Sequence, residues 1–521
     1  MKAYLALTLF TAGLALAQQS GGPPSVTDLV AELDQNEDGK ISKEEADGSA
    51  RGKRQFARWD RDQDGFATRD EIIAMRRKSG IDAEGNRIAG RRGREQSPAK
   101  LTIPAIADIT RVGDGVRPTR QEMQWSLSIV KTESHPVAKS GYLIVTDHRS
   151  EDYLTPLHLL AKHRKGTVMI VKDLATVHSR QEDWDRLSSH LQKVHPRFVA
   201  IAPRLESYRE KMLIGMWKLL STLDDDPELD VFPGLLVAPD LPSFEKLITS
   251  SMDYKPRSSE NFQVFAQCHF TDNSAGGIKS LQKVGILRKH FAKHGHETSS
   301  LIVAAPKVRE ERPLKGDDIL YAVPKRRLLQ LFPAEARESL AKSALLVMFG
   351  HGSTGMSCGF SVDAFHGIDL SNKVVMAGSC WSGAPTKLDF PMPRRDAAGT
   401  ELKDNRERFL MRAIENGALV SFGHMRLNQG FSTLYPVLES WTEGKTVGEA
   451  YQRLMNALFR AEKKSRLDEI LALDPSDLQQ PGENRRSPAI PGNRLLYVII
   501  GDPALQPFER LTALAHVPKH R

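Results

Sequence analysis

The sequence predicts an α/β fold built on mainly parallel sheets and preceded by a small all-α module. Three observations predict it. Short apolar runs recur between residues 142 and 500 of the 521-residue chain, bounded by Gly, Pro or polar turns. Helix-period stretches lie between them, as at 181–194, 280–294 and 406–415. An acidic segment punctuated by glycine precedes them, over residues 34–71. Apolar content of 40% with 26% charged residues suits a globular chain with a large core rather than a disordered one.

The first residues read as a secretory signal over 1–17. Lys2 supplies the charge, residues 3–16 the apolar stretch, and Ala15 and Ala17 the small-x-small pattern before Gln18. The expected location is therefore secreted, or periplasmic or cell-envelope. No later segment approaches the roughly 20 consecutive apolar residues of a membrane span.

After a Gly-Gly-Pro-Pro break come two near-copies of a twelve-residue pattern, within a module predicted over 24–78. In the first, oxygen ligands fall on Asp34, Asn36, Asp38, Ser42 and Glu45, with the main-chain carbonyl of Lys40 and a glycine, Gly39, at the sharp turn. In the second they fall on Asp60, Asp62, Asp64, Thr68 and Glu71, with the carbonyl of Phe66 and the glycine Gly65. Calcium takes six to eight hard oxygens, and this spacing wraps them around one ion with a bidentate Glu closing the shell. The pattern resembles the EF-hand calcium loop and implies Ca2+ as the bound ion. Only 14 residues separate the loops, which predicts compressed intervening helices. Ala67 stands where a branched residue usually pairs the two loops, as Ile41 does in the first. We read a structural or tethering calcium module rather than a sensor.

A linker follows over 79–115. Residues 76–100 hold eight Lys or Arg against three acids, so much of the net charge of +8 sits in one solvated stretch. That distribution, without aromatic interleaving or a nucleic-acid motif, predicts no nucleic-acid partner. The α/β region then presents strands at 142–146, 167–171, 198–202, 234–238, 301–305, 345–349, 374–377, 418–422 and 496–500. A break near 253–261 divides an N-terminal subdomain, 116–255, from a catalytic one, 256–510, and leaves a tail at 511–521.

Two of these runs carry the chemistry. ALLVMFGHG (344–352) ends on His351 and Gly352, and KVVMAGSC (373–380) ends on Cys380, 29 residues after the histidine. Parallel neighbours deliver the residues beyond their carboxyl ends to one crevice. An imidazole beside a thiol supplies thiolate, the attacking species, and then a proton for the leaving amine. The charge that develops on the attacked carbonyl needs N–H donors, for which the main chains of Gly352 and Cys380 are candidates. Taken singly, a cysteine after a strand is more often a small core residue. The chain has three cysteines, too few for a disulfide framework; pairing of Cys268 with Cys358 would leave Cys380 free.

GHGSTG (350–355) and MAGSC (376–380) resemble, in residue, order and approximate spacing, the motifs of the gingipain-type cysteine peptidases, whose clan includes caspases and legumains. DVFPG (230–234) and GDPAL (501–505) resemble further segments of that family. The resemblance spans roughly 135–510 and implies a caspase-like α/β sandwich. It also implies a protein or peptide substrate, Cys380 as nucleophile, His351 as acid and base, and Gly352 with Cys380 as oxyanion donors. In arginine-specific members an acid selects the substrate side chain, and Asp226 is its match here. Some families of this kind contain members that keep the fold without activity, which gives the alternative of a secreted calcium-binding adhesion or scaffold protein. Two other readings compete. An α/β-hydrolase would draw its histidine from His424, but GSCWSG (378–383) has one residue too many for its nucleophile turn. A zinc site would need His351, Cys358, His366 and Cys380, whose spacing matches no compact zinc pattern.

Overall fold

The computed structural model describes residues 25–49, 52–60, 62–78, 137–224, 226, 228–270, 275–304, 318–322, 329–353, 355–385, 387–389, 408–426, 431–461, 471–472 and 493–511. The signal segment 1–17, the linker 79–115 and all of the tail but residue 511 lie outside them. Two compact units divide the chain, residues 1–102 and 103–521.

The first unit holds α1 (Val26–Leu33), β1 (Lys40–Ser42), α2 (Lys43–Asp47), α3 (Gly52–Trp59), β2 (Phe66–Thr68) and α4 (Arg69–Lys78). As the short spacing predicts, α2 and α3 are brief, at 5 and 8 residues. Ser42 caps α2 by accepting from the Glu45 N–H, while the Glu45 carboxylate accepts from the Ser42 N–H at 2.8 Å. Gly52 starts α3 where a Cβ would overlap the main chain of Ala46, so the two helices meet only without a side chain there. The strands pair antiparallel with Ile41 opposite Ala67, both fully buried. They join Val26, Leu29, Leu33, Phe56, Trp59 and Ile72 in one small core.

The second unit is α/β around an 11-stranded sheet. Its elements begin with β3 (Tyr142–Thr146), α5 (Glu151–His163), β4 (Thr167–Ile170), α6 (Gln181–Val194), β5 (Phe198–Ala202), α7 (Glu210–Leu220), β6 (Phe232–Leu235) and α8 (Leu241–Asp253). They continue with β7 (Val264–Phe270), α9 (Ala275–Ala292), β8 (Thr298–Ala304), β9 (Asp318–Ala322), α10 (Ala334–Lys342) and β10 (Leu345–Phe349). A small three-stranded sheet comes next, of β11 (Gly352–Ser353), β12 (Met356–Ser357) and β13 (Phe360–Ser361). Then come β14 (Val374–Gly378), α11 (Phe409–Glu415), β15 (Val420–His424), α12 (Phe431–Thr442), α13 (Val447–Ala461) and β16 (Tyr497–Ile500).

The strand order is β4-β3-β5-β6-β16-β15-β14-β10-β7-β8-β9. Every neighbouring pair is parallel except β15 with β16. β3–β6 with β16 therefore run one way, and β7–β10, β14 and β15 the other. The carboxyl ends of β7, β10, β14 and β15 share a sheet edge with the amino ends of β6 and β16. β3, β10 and most of β14 and β5 are buried throughout, which is why they read as continuous apolar runs.

Two segments singled out in the sequence meet here. A Cβ on Gly234 would lie 2.7 Å from the Gly501 carbonyl oxygen and 3.1 Å from Pro503. Next to it Asp502 is fully buried, accepting from the Tyr142 hydroxyl at 2.8 Å and pairing with Arg164 at 2.7 Å. β6 starts two residues before the predicted 234–238. The Phe232 N–H donates to the Arg197 carbonyl at 2.9 Å, so the ladder begins ahead of Pro233, which has no N–H of its own to donate. Among the described residues no helix is long and apolar enough to cross a membrane.

Candidate active site

β10 and β14 lie side by side in parallel register, ending with Phe349 opposite Gly378. His351 and Cys380 each stand two residues beyond that final pair. The sheet therefore delivers both to the same level beyond one sheet edge. His351 is exposed and Cys380 half-buried. Two contacts tie the segments together. A Cβ on Gly352 would overlap the Cys380 carbonyl oxygen and sit 2.8 Å from the Ser379 Cβ. The hydroxyls of Ser357, on β12, and Ser379 lie 2.8 Å apart, both residues fully buried.

The hairpin after His351 orients the main chain of Gly352. The Cys358 N–H donates to the His351 carbonyl at 2.9 Å, and Gly352 faces Ser357 in the register. Positions next to a hydrogen-bonded pair in an antiparallel ladder point their own N–H away from the partner strand. The Gly352 N–H is thus turned outward from the hairpin, as an oxyanion donor requires.

The turn after Cys380 is held from behind. Trp381 adopts φ 61°, a left-handed conformation that costs a bulky residue on the order of 1–3 kcal/mol unless its surroundings impose it. Its N–H donates to the Arg426 carbonyl at 2.7 Å, and the Arg426 guanidinium carbon lies 4.8 Å from the indole centroid. Trp381, Ala384 and Leu388 form an apolar patch against which Cys380 packs. Arg426 is fully buried and bonds Glu210 at 2.5 Å. Glu210 also accepts the Asp389 N–H at 2.7 Å, and Asp389 accepts the Lys211 N–H at 2.8 Å. Burial pushes the Glu210 carboxyl up to about 7 against the pull of Arg426. Burial also raises Asp389.

No disulfide joins the three cysteines, so Cys268 and Cys358 form no bridge. Both are fully buried, and burial pushes the Cys358 thiol up to about 12, which makes it a poor nucleophile. Cys268 lies on β7, a strand absent from the sequence-derived set. With it comes His269, a residue that sequence reasoning missed. The Gln267 amide, on the same strand and fully buried, donates to the Cys358 carbonyl at 2.6 Å and so anchors the hairpin to the sheet.

Asp226, the sequence candidate for the substrate pocket, lies in the turn before β6, on the same sheet edge as Cys380. β16 and β15 stand between, so about 14 Å of sheet separates β6 from β14 at ~4.8 Å per strand. The Asp226 carboxylate gathers with those of Asp224 and Asp230, their oxygens within 4.8 Å of one another. It accepts the Glu228 N–H at 2.7 Å, which shapes the turn. His424 is fully buried. Its Nδ1 accepts the Arg426 N–H at 2.8 Å and its Nε2 faces the Asn493 carbonyl at 2.9 Å, so both ring nitrogens are engaged by main chain. Burial lowers it to about 3, which removes it as a base for the hydrolase reading. His351, Cys358, His366 and Cys380 are not among the ligand clusters of the described residues, against the zinc reading. A cleft of about 860 Å³, lined in part by Lys255, Arg257, Lys342 and Asn372, opens at the opposite edge, beside the amino ends of β10 and β14.

In the first unit, the carboxylates of Asp60, Asp62 and Glu71 lie within 4.8 Å of one another. Gly39 and Gly65 take φ of 82° and 92°, the left-handed turn required at the sixth loop position. In the first loop, Asp34 accepts the Gly39 N–H at 2.8 Å and Glu45 accepts the Asn36 N–H at 3.1 Å, which curls the chain around its side-chain oxygens. Asp38, Asp64, Ser42 and Thr68 take matching places in the two loops: Asp38 accepts from Lys40 and Asp64 from Phe66, each at 2.9 Å. The Ser42 and Thr68 hydroxyls both lie 2.8 Å from the closing glutamate.

No protein-family model matches the chain, and no curated protein does. Among solved structures, it is similar to a D-isomer specific 2-hydroxyacid dehydrogenase family protein from Klebsiella pneumoniae 342. That likeness has 11% identity, covers 47% of this chain and 73% of that one, and has a TM-score of 0.15. A putative aspartate carbamoyltransferase from Trypanosoma cruzi is similar at 12% identity over 60% of this chain and 90% of that one, with a TM-score of 0.18. Likenesses of this size assign neither fold nor function.

Proposed function

We propose that the chain is a secreted, calcium-binding cysteine endopeptidase with a gingipain-like, caspase-type catalytic fold. One observation carries the reading: β10 and β14 end in register two residues before His351 and Cys380, with Gly352 seated against the Cys380 main chain. In the reaction, the Cys380 proton passes to His351 and the sulfur forms a bond to the scissile carbonyl carbon. The N–H groups of Gly352 and Cys380 receive the developing oxyanion. As the C–N bond breaks, His351 gives its proton to the departing amine. Water, deprotonated by the same imidazole, then hydrolyses the thioester and restores the thiol.

A thiol-reactive peptide probe tests this on the folded full-length protein. Cys380 is expected to be labelled while the buried Cys268 and Cys358 are not. His351→Ala is expected to slow labelling about 100-fold, the scale of one acid–base group. Equal labelling of all three thiols, indifferent to His351→Ala, would sink the peptidase reading and leave the adhesion or scaffold alternative.

The N-terminal unit we read as an EF-hand pair holding Ca2+. The residues suit the ion: Asp60 Oδ1 is buried without a hydrogen-bond partner, an oxygen left for a cation. Asp34, Asn36, Asp38, Ser42 and Glu45 with the Lys40 carbonyl would hold one ion. Asp60, Asp62, Asp64, Thr68 and Glu71 with the Phe66 carbonyl would hold the other. Calcium there neutralises the clustered carboxylates and locks the loops. Ligand at 100 times its Kd stabilises a fold by about 2.7 kcal/mol, so chelation is expected to lower the melting point of this unit measurably. Calorimetry is expected to show calcium binding that Asp34→Ala with Asp60→Ala abolishes. Unchanged binding in that double variant would refute the assignment.

A further inference from the structure

A second imidazole stands beside the turn that carries His351. β7 lies beside β10 in parallel register, with Cys268 opposite Phe349, so His269 comes level with Gly350, next to His351. β8 flanks β7 on its other side, which makes the β7–β10 boundary a topological switch point. Crevices for ligands open outside the carboxyl ends of strands at such points. The His269 ring is clamped by the loop that carries His351. A Cβ on Gly350 would lie 3.0 Å from the His269 Cβ, and one on Gly359 would lie 2.7 Å from its Cδ2. Its Nδ1 is buried without a hydrogen-bond partner.

We propose, resting on the peptidase reading, that His269 is a positioning residue for the Cys380–His351 pair. Its ring packs under the turn from Gly350 to His351 and presents an uncharged wall beside His351. Two imidazoles in one crevice resist double protonation. Burial first, then the neighbouring charge of His351, lowers the His269 pKa. His269 is therefore kept neutral, a fixed ring against the turn that carries His351. Among the described residues, the titratable groups that act near this hairpin include Cys380 after β14 and Lys283 of α9, whose charges both act on Cys358.

The test is the pH profile of peptide-probe labelling at Cys380. His269→Gln keeps a neutral side chain but loses the flat ring packed against Gly350 and Gly359, and is expected to slow labelling about tenfold without moving the pH profile. His269→Lys places a fixed charge beside His351. It is expected to move the alkaline limb of the labelling profile down by about one pH unit. An unmoved limb in His269→Lys, with wild-type labelling still dependent on His351, overturns this proposal alone. Loss of Cys380 selectivity in the wild type overturns the peptidase reading instead. Should His269→Lys not fold, NMR titration of the wild-type histidines decides. A His269 that titrates below the ordinary imidazole value of 6.5 supports the proposal, whereas titration at that value overturns it.

Discussion

Gly352→Ala is expected to slow probe labelling and peptide hydrolysis about 1,000-fold, with little change in the rest of the fold. Loss of one oxyanion donor alone costs about 100- to 1,000-fold. Here the added methyl does more than disturb a donor. It would overlap the Cys380 carbonyl oxygen and press on the Ser379 Cβ and Oγ at 2.8 and 2.9 Å. None of these atoms is the far end of a flexible chain, so the hairpin and the nucleophile turn must separate. The Ser357–Ser379 bond would be strained in the same movement. Gly355, three residues on in the same loop, is the control: a Cβ there meets nothing within 4 Å. Gly355→Ala is expected to label at the wild-type rate. Equal rates for Gly352→Ala and wild type would show that Gly352 does not set the geometry of Cys380.

The parts of the fold legible in the sequence were those whose burial is uniform. β3, β5 and β10 have the predicted boundaries because both faces of each strand are covered and no polar residue interrupts the run. β7 was not legible, since Gln267, Cys268 and His269 break its apolar pattern. Gln267 and His269 are covered by the hairpin over residues 352–361, whose two-residue strands are too short to show any period. His269 was lost with its strand. Of the site, His351 and Cys380 were readable because each directly follows a buried run. The two acidic loops turned by Gly39 and Gly65 were readable because their residue spacing is local. Arg426 was not, because a charged residue just past a predicted strand ordinarily marks solvent. What keeps it buried is Glu210, 216 residues away in sequence.

That distant pair underlies the largest stability effect expected here. Arg426→Met should destabilise the second unit by about 3–5 kcal/mol near neutral pH, because it leaves a buried carboxylate without its guanidinium. The pH dependence comes from Glu210, raised from 4.5 to about 7 in the fold. A carboxyl raised on folding favours the native state while protonated, so its contribution is full below about 4.5 and is lost as pH rises through 7. Arg426 holds the carboxyl down, so removing it raises Glu210 further and deepens the loss on the alkaline side. Urea unfolding of Arg426→Met should therefore show a larger deficit at pH 8 than at pH 5. Glu210→Gln combined with Arg426→Met should recover most of the deficit, since no charge then remains buried unpaired; a residual of about 1 kcal/mol is expected from the cation–π contact with Trp381. Probe labelling of the double variant then isolates the guanidinium's hold on the turn after Cys380. The Arg426 main-chain carbonyl, which accepts the Trp381 N–H, survives the substitution. A deficit below 1 kcal/mol at pH 8 in the single variant, or a double variant no more stable than the single, would mean that the ion pair does not support the floor of the site.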